Sequence, residues 1–369
     1  MRTSHGSNLL TVCFRWLTSC STPCMRAFPA FANRLRLLAS YASGSARPDV
    51  GSPDVLIEVT SRCNLACPEC RRVEFAGKGG HMKWSVFKSV LQAGAGSVEL
   101  AFLFGWGEPL LWPHLLAGIA SARARGIRTS VSTNATLLQG ELARHMARSG
   151  PDILTLALDS HVKDVYERYR KGAHFEEVCR NAREFIAEVR RSHGRSRVVL
   201  QMICTPEASP MASEYRTFAK QFREAEVRYR RFKPACAGEV PARRRPCPVL
   251  WRGPAYVRSD GTVFPCCVLQ DQPLGSVVGG DLRALWNGER MQQLRSMHSS
   301  GRIHELKECS TCYHSDPGEY STLSALAGFL CSSYWARRCI PFAERLRMIH
   351  QWIRSLFKSR QLLPDRRNG

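Results

Sequence analysis

A chain of 369 residues with 44% apolar content can bury a substantial core, and it offers no uninterrupted apolar run of about 18 residues that would span a membrane. Its 16 cysteines sit in an enzyme-sized, patterned body, which argues against the disulfide scaffold of a small secreted domain and for metal ligation in a reducing, cytoplasmic setting. The net charge is +22, half of it in the ends: residues 1–50 hold six Arg against Asp49, and residues 319–369 hold nine Lys or Arg against Glu319, Glu344 and Asp365. Such a balance favours anionic partners, but no interleaved aromatic and basic motif of the RNA-recognition kind occurs, which disfavours nucleic acid.

Taken in chain order, residues 1–50 read as a basic N-terminal extension, open between a targeting leader and a disordered arm; Arg15 interrupts the apolar stretch Leu9 to Leu17. From Asp54 onward, short apolar strands alternate with amphipathic helices, the pattern of a parallel sheet with crossover helices. Strands are expected at 54–60, 97–103, 127–132, 153–158, 197–204 and 227–233. The helices between them fall at 84–93, 114–125, 140–148, 162–191 and 211–224. Six such units give an α/β fold, a partial (β/α)6 barrel over residues 51–235, whose functional groups should collect on loops at the carboxyl ends of the strands. Residues 234–245 turn to Pro, Gly and charge and mark a linker. Within residues 236–318 a hairpin signal surrounds Ser259-Asp260-Gly261, and a helix is expected over 282–297. The tail, 319–369, places Phe342, Leu346, Ile349, Ile353 and Leu356 at helical spacing among Arg345, Arg354 and Lys358. That stripe suits either packing on the enzyme body or peripheral contact with an anionic membrane.

Three cysteines, Cys63, Cys67 and Cys70, follow the first strand in the stretch Glu58-Val-Thr-Ser-Arg-Cys-Asn-Leu-Ala-Cys-Pro-Glu-Cys. Iron-sulfur clusters are held mainly by four thiolates, so three leave one iron open; a zinc site or three unrelated thiols are the plainer alternatives. Three further motifs occur in order at strand ends: Gly105-Trp106-Gly107-Glu108, Ser132-Thr133-Asn134 and Asp159-Ser160. Glycines let backbone approach a ligand, Glu108 offers an acceptor to an ammonium group, and Ser132 and Asn134 offer donors to ribose or carboxylate oxygens. The ordered set resembles the radical S-adenosylmethionine (SAM) superfamily. That resemblance implies a four-iron four-sulfur cluster on the three cysteines, SAM bound by its amino and carboxylate groups to the open iron, and reductive cleavage to a 5′-deoxyadenosyl radical that removes a substrate hydrogen. It further implies SAM contacts at Gly105, Gly107, Glu108, Ser132, Asn134 and Asp159, and at Arg170 near the SAM carboxylate, where a solvated helix charge is the alternative. Glu69 stands where the family often has an aromatic residue beside adenine.

A second group comprises Cys247, Cys266, Cys309 and Cys312, with Leu274 to Val277 and Asp281 to Asn287 between its members. Paired cysteines at distant sites suit structural zinc as well as iron and sulfur. The pattern resembles the SPASM domain or its shorter twitch form, which implies one auxiliary four-iron four-sulfur cluster; Gly318 stands where the longer form carries its next cysteine. Cys267 is the alternative to Cys266, and it also occupies the place of an Asp that some family catalysts use as a base. Cys179, Cys204, Cys236, Cys331 and Cys339 read as ordinary core thiols. The layout is similar to that of a cyclitol-oxidising twitch dehydrogenase of the same family, which implies an oxidoreductase for a small polyol or amino sugar, reduced by a flavodoxin or ferredoxin-type donor. Maturation of a ribosomally made peptide, and a redox or metal-binding protein without SAM chemistry, are the other readings. Arg230, Arg231 and Lys233, at the end of the sixth strand, offer either substrate contacts or solvated charge.

Overall fold

A computed structural model describes residues 24–75, 80–204, 212–231, 246–310, 312 and 329. The expected tail helix, the linker and Lys233 lie outside these residues, as do the side chains of Arg230, Arg231 and four of the five unassigned cysteines. Among the described residues no helix is long and apolar enough to cross a membrane.

Six parallel strands form the body: β1 Asp54–Ile57, β2 Leu100–Phe102, β3 Arg128–Thr133, β4 Ile153–Ala157, β5 Arg197–Cys204 and β6 Glu226–Arg231. They lie side by side in chain order, with registers such as Asp54↔Leu100, Leu100↔Arg128 and Ser130↔Ile153. A parallel pair cannot be closed by a tight turn, so each connection passes through a helix. These are Trp84–Ala93, Leu115–Ala124, Gly140–Ser149, Lys163–Tyr169 with Phe175–Arg191, and Ala212–Ala219. Each turns one apolar stripe to the sheet: Phe87, Val90 and Leu91 on the first, Val178, Ala182, Phe185 and Ile186 on the longest. Against them lie Val55, Ile57, Leu154, Leu156, Val198 and Leu200, all buried, and the result is the partial barrel the alternation implied.

The cysteine-rich region is continuous with this sheet. β7 Ala255–Val257 pairs in parallel with β1, and β8 Thr262–Phe264 and β9 Gly275–Ser276 add antiparallel beyond it. The hairpin falls where its turn residues placed it, but its docking against β1 needed the tertiary fold. The helix expected over 282–297 is two helices, Leu282–Asn287 and Glu289–Ser299, broken at Gly288. Side chains compete for the backbone there: Arg295 Nη2 donates to Trp286 O at 2.9 Å, and Asn287 Nδ2 to Arg283 O at 3.0 Å.

The N-terminal extension also departs from expectation. Residues 24–43 form a helix whose Leu37 and Arg34 are fully buried. Arg34 donates to Asp54 Oδ1 at 3.3 Å, to Glu99 Oε2 at 3.3 Å and to Phe329 O at 3.4 Å. Asp54 opens β1 and Glu99 precedes β2, so the guanidinium neutralises two carboxylates at the amino ends of the strands, the face of a parallel barrel that serves stability. Removing it leaves buried charge uncompensated. Arg34→Ala is expected to lower the unfolding free energy by about 3 kcal/mol in a chemical denaturation series. A loss within ~0.5 kcal/mol would show that the helix is a surface appendage.

Candidate active site

The cysteine loop leaves β1 through a run of small polar residues that fasten it to its neighbours. Ser61 N donates to Gly80 O at 3.0 Å, Arg62 N to Thr60 Oγ1 at 3.1 Å, and Ala66 N to Lys171 O at 2.9 Å. Cys63 and Cys67 are half-buried against the core, and Leu65 N donates to Cys63 Sγ at 3.4 Å. Burial pushes both thiols up; at Cys67 the Arg170 guanidinium opposes it. Arg170 sits on two groups, donating to Asp159 Oδ2 at 2.5 Å and to Cys67 Sγ at 4.0 Å. Burial pulls its pKa down, but Asp159 and Cys67 more than offset that pull, so Arg170 is a firmly held cation beside the loop. A nearby cation and N–H···S bonds both favour thiolate over thiol.

The Gly-Trp-Gly-Glu loop is positioned by backbone proximity. A Cβ at Gly107 would lie 2.3 Å from Thr60 O and 2.5 Å from Arg62 O, so only glycine lets this loop cross the strand leading to Cys63. The close approach expected toward a ligand is therefore made to protein backbone. Gly105 packs on Glu58, whose Cβ and Cγ would lie 2.9 Å from an added Cβ. Glu108 is 3% exposed and accepts from Leu110 N at 3.1 Å, Thr133 Oγ1 at 2.7 Å and Asn134 N at 2.8 Å, while its own N–H donates to Arg62 O at 2.8 Å. Burial raises its carboxyl, and the Asn134, Thr133 and Leu110 donors oppose the rise. Three of its roughly four acceptor sites are thus taken by protein, where the sequence suggested an ammonium contact.

Ser132 lies within β3, half-buried, and Asn134 just beyond it. Asn134 Oδ1 accepts from Thr136 N at 3.0 Å and Thr136 Oγ1 at 2.7 Å, and its Nδ2 donates to Asn64 Oδ1 at 3.0 Å, inside the cysteine loop. Thr133 and Asn64 were missed by sequence reasoning because their roles depend on pairing across loops. Asp159 retains more capacity: Oδ1 is buried and makes no well-aligned hydrogen bond among the described residues, with the Ile203 N–H the backbone donor that approaches the carboxyl. A ligand with a hydrogen-bond donor fits there, beside an arginine suited to a carboxylate and three thiols suited to iron.

The members of the second cysteine group lie on elements around β7 and β8. Cys247 N donates to His298 Nδ1 at 3.2 Å, and Arg295, fully buried, anchors the surrounding turns by donating to Leu250 O at 2.8 Å and Ala46 O at 3.0 Å. Burial without a carboxylate partner pulls Arg295 down to about 9. Cys266 follows β8 and accepts from Leu269 N at 3.4 Å; burial pushes its thiol well up. Cys309 lies in the short helix Lys307–Ser310, partly buried against the same core as Cys247 and Cys266, and Cys312 N donates to Cys309 O at 3.4 Å. The all-sulfur donor set and the N–H···S bond suit an iron-sulfur cluster. None of the cysteines described is in a disulfide, and Cys179 is buried as expected. Among the described residues no group of three His, Cys, Asp or Glu is arranged to hold a metal ion as it stands. Thiols bind metal only after losing their protons.

Comparison with known proteins identifies two family regions in the chain. The family model described as the radical SAM superfamily matches residues 57–207, and the SPASM model, an iron-sulfur cluster-binding domain, matches residues 247–313, together more than half of the chain. The chain is 31% identical over 105 residues to the tungsten-containing aldehyde ferredoxin oxidoreductase cofactor-modifying protein of Pyrococcus furiosus, a match covering 28% of this chain and 30% of that one. The chain spans about a third of the length of the curated relatives it matches. Among solved structures, anSMEcpe with bound AdoMet and a Cp18Cys peptide has a TM-score of 0.54 at 17% identity, covering 79% of this chain and 99% of that one. BtrN in complex with AdoMet and 2-DOIA has a TM-score of 0.49 at 16% identity, over 71% of this chain and 93% of that one.

The crossing at Gly107 makes one consequence measurable. Gly107→Ala forces a methyl group into two backbone carbonyls and should displace the strand entering Cys63. After anaerobic reconstitution the variant is expected to bind markedly less iron while keeping its far-ultraviolet circular dichroism. Wild-type iron content in a folded Gly107→Ala protein would contradict the backbone account.

Proposed function

Because the chain belongs to the radical SAM superfamily and carries an iron-sulfur SPASM region, we propose that it cleaves SAM reductively, abstracts a hydrogen atom from an organic substrate and oxidises that substrate. The observation that carries this reading is the convergence of two hydrogen-bonded sets on the Cys63–Cys70 loop: Glu108 and Asn134, bonded to each other, to Arg62 O and to Asn64, and Arg170, bonded to Asp159 and to Cys67. When held by Cys63, Cys67 and Cys70, a four-iron four-sulfur cluster supplies the electron for SAM cleavage to a 5′-deoxyadenosyl radical, and an open iron position for the SAM amino and carboxylate groups.

The chain's own residues then have distinct tasks. Arg170 offers a guanidinium to a carboxylate next to Cys67, and Asp159 Oδ1 accepts from a ligand N–H or O–H. Glu108 and Asn134 keep the loops after β2 and β3 closed on the cysteine loop, which fixes the bound groups and excludes water. Gly105, Gly107 and Ser132 shape the floor of that site. Cys247, Cys266, Cys309 and Cys312 suffice for one fully ligated auxiliary cluster, a one-electron sink suited to oxidation. A small polyol or amino sugar is the substrate class this single sink suits, with a flavodoxin or ferredoxin-type protein as electron donor. A peptide substrate is the second reading, favoured by the net charge of +22, which suits an acidic leader segment. Residues 51–235 and 236–318 are assigned to the two tasks respectively, with a reducing cytoplasmic location; the basic tail at 319–369 is assigned to packing or to peripheral membrane contact.

Anaerobically reconstituted, reduced protein is expected to convert SAM to 5′-deoxyadenosine. Simultaneous Cys63→Ala, Cys67→Ala and Cys70→Ala replacement should abolish that product and leave the auxiliary iron-sulfur absorbance visible. Absence of 5′-deoxyadenosine from protein whose clusters are intact and reduced would remove the reading. Mass spectrometry of candidate polyols and acidic peptides incubated with the enzyme separates the two substrate classes.

A further inference from the structure

Between the two cysteine regions lies a carboxyl group that neither assignment uses. Glu58 follows β1 directly, five residues before Cys63, and is fully buried. Its backbone extends the pairing with β7, Glu58 N donating to Val257 O at 2.9 Å. Its side chain turns to the Gly105 loop on one side and to β7 on the other, where Tyr256 Oη donates to Glu58 Oε2 at 2.6 Å. Glu58 Oε1 makes no well-aligned hydrogen bond among the described residues, with the Trp106 and Ser259 N–H groups the backbone donors that approach the carboxyl. Burial disfavours the ionised carboxylate and its hydrogen-bond donors favour it, so the balance between the two protonation states responds to an added charge.

The same pair reaches toward the second cysteine group. Tyr256 lies opposite Phe264 on β8, with ring centroids 6.1 Å apart, and Cys266 follows two residues later. The titratable and charged groups that face Glu58 are few. Tyr256 hydrogen bonds to it, Arg258 acts on it from the end of β7 while bound to Asp260 at 2.6 Å, and Cys267 acts on Tyr256. From the other loops only the Trp106 and Ser259 N–H groups approach. Burial, the largest influence, raises the Glu58 carboxyl, opposed by Tyr256, the Trp106 N–H and Arg258. An electron added to the second cysteine group, which follows the strand paired with Tyr256, raises it further, because a new negative charge penalises a buried carboxylate.

We propose that Glu58 holds, on Oε1, the proton that accompanies electron transfer to the iron-sulfur site of Cys247, Cys266, Cys309 and Cys312. This inference rests on the auxiliary-cluster reading above. After hydrogen-atom abstraction from a carbinol carbon, the substrate radical still has to lose one electron and one hydroxyl proton to become a carbonyl. The electron goes to the oxidised iron-sulfur acceptor and the hydroxyl proton is released to solvent, while Glu58 takes up one solvent proton as the acceptor is reduced, so the added electron leaves no net charge in the buried region. Reoxidation of the acceptor by an external one-electron acceptor returns the proton to solvent. Glu58 is thus a positioning residue for charge and does not touch the substrate.

The test is a redox titration of the reconstituted full chain, followed by electron paramagnetic resonance across a pH series. Two distinguishable clusters must first be present; finding only one overturns the auxiliary reading itself. With two present, the auxiliary midpoint is expected to fall as pH rises, by about 59 mV per unit, the one-electron equivalent of a tenfold change in proton concentration. Glu58→Gln, which keeps the shape and loses the titration, should flatten the slope. Tyr256→Phe removes a bond that favours the carboxylate, so its sloping region should move to higher pH. A midpoint independent of pH in the wild type, or a slope unchanged in Glu58→Gln, overturns the role of Glu58 while leaving the auxiliary cluster in place. Should Glu58→Gln fail to take up iron, an unmoved pH window in Tyr256→Phe overturns it equally.

Discussion

Glu108 ties together the elements on which the site depends. Its carboxylate takes N–H and O–H donors from the start of its own following turn and from the end of β3, while its N–H reaches back to the residue before Cys63. A group this deeply buried is tolerated only because its polar capacity is nearly filled. The loop after β1, the loop after β2 and the loop after β3 consequently hold one arrangement, and the cysteine loop inherits its position from them. Gly107 makes the arrangement sterically feasible, since any side chain there would occupy the space of two carbonyl oxygens.

A similar economy holds the rest of the body together. Arg34 and Arg295 are both fully buried, yet they use different chemistry: one neutralises Asp54 and Glu99, the other donates to Leu250, Ala46 and Trp286 carbonyls. The first fastens the N-terminal helix beneath β1 and β2, and the second fixes the turns around Cys247. Each joins segments far apart in the chain, so the cysteine-rich region and the partial barrel share one sheet and one core.

Polar residues near the cysteine loop divide into those consumed by the fold and those that retain capacity. Glu108, Thr133 and Asn134 belong largely to the first kind. Asp159 and Glu58 belong to the second, each with one buried oxygen that makes no well-aligned hydrogen bond among the described residues. Chemistry is expected where such capacity survives burial, because a group already satisfied by protein has little differential affinity left for a ligand or a proton.

Much of this was legible in the sequence. The alternation of short apolar strands with amphipathic helices determined the parallel sheet, since a strand buried on both faces and a one-sided helix demand different periodicities. The spacing of Cys63, Cys67 and Cys70, the ordered strand-end motifs and the turn at Ser259-Asp260-Gly261 were equally local, and the hairpin and motif loops lie where those signals put them. Tertiary structure alone decided the rest. Nothing in residues 24–43 announces that Arg34 meets Asp54, nothing in residues 255–257 announces a parallel partner in β1, and Glu58 looks like an ordinary strand end until Tyr256 arrives from almost two hundred positions away. These features depend on which unsatisfied donors, acceptors and charges are brought together once the core closes, and that pairing is a property of three-dimensional proximity that no local pattern encodes.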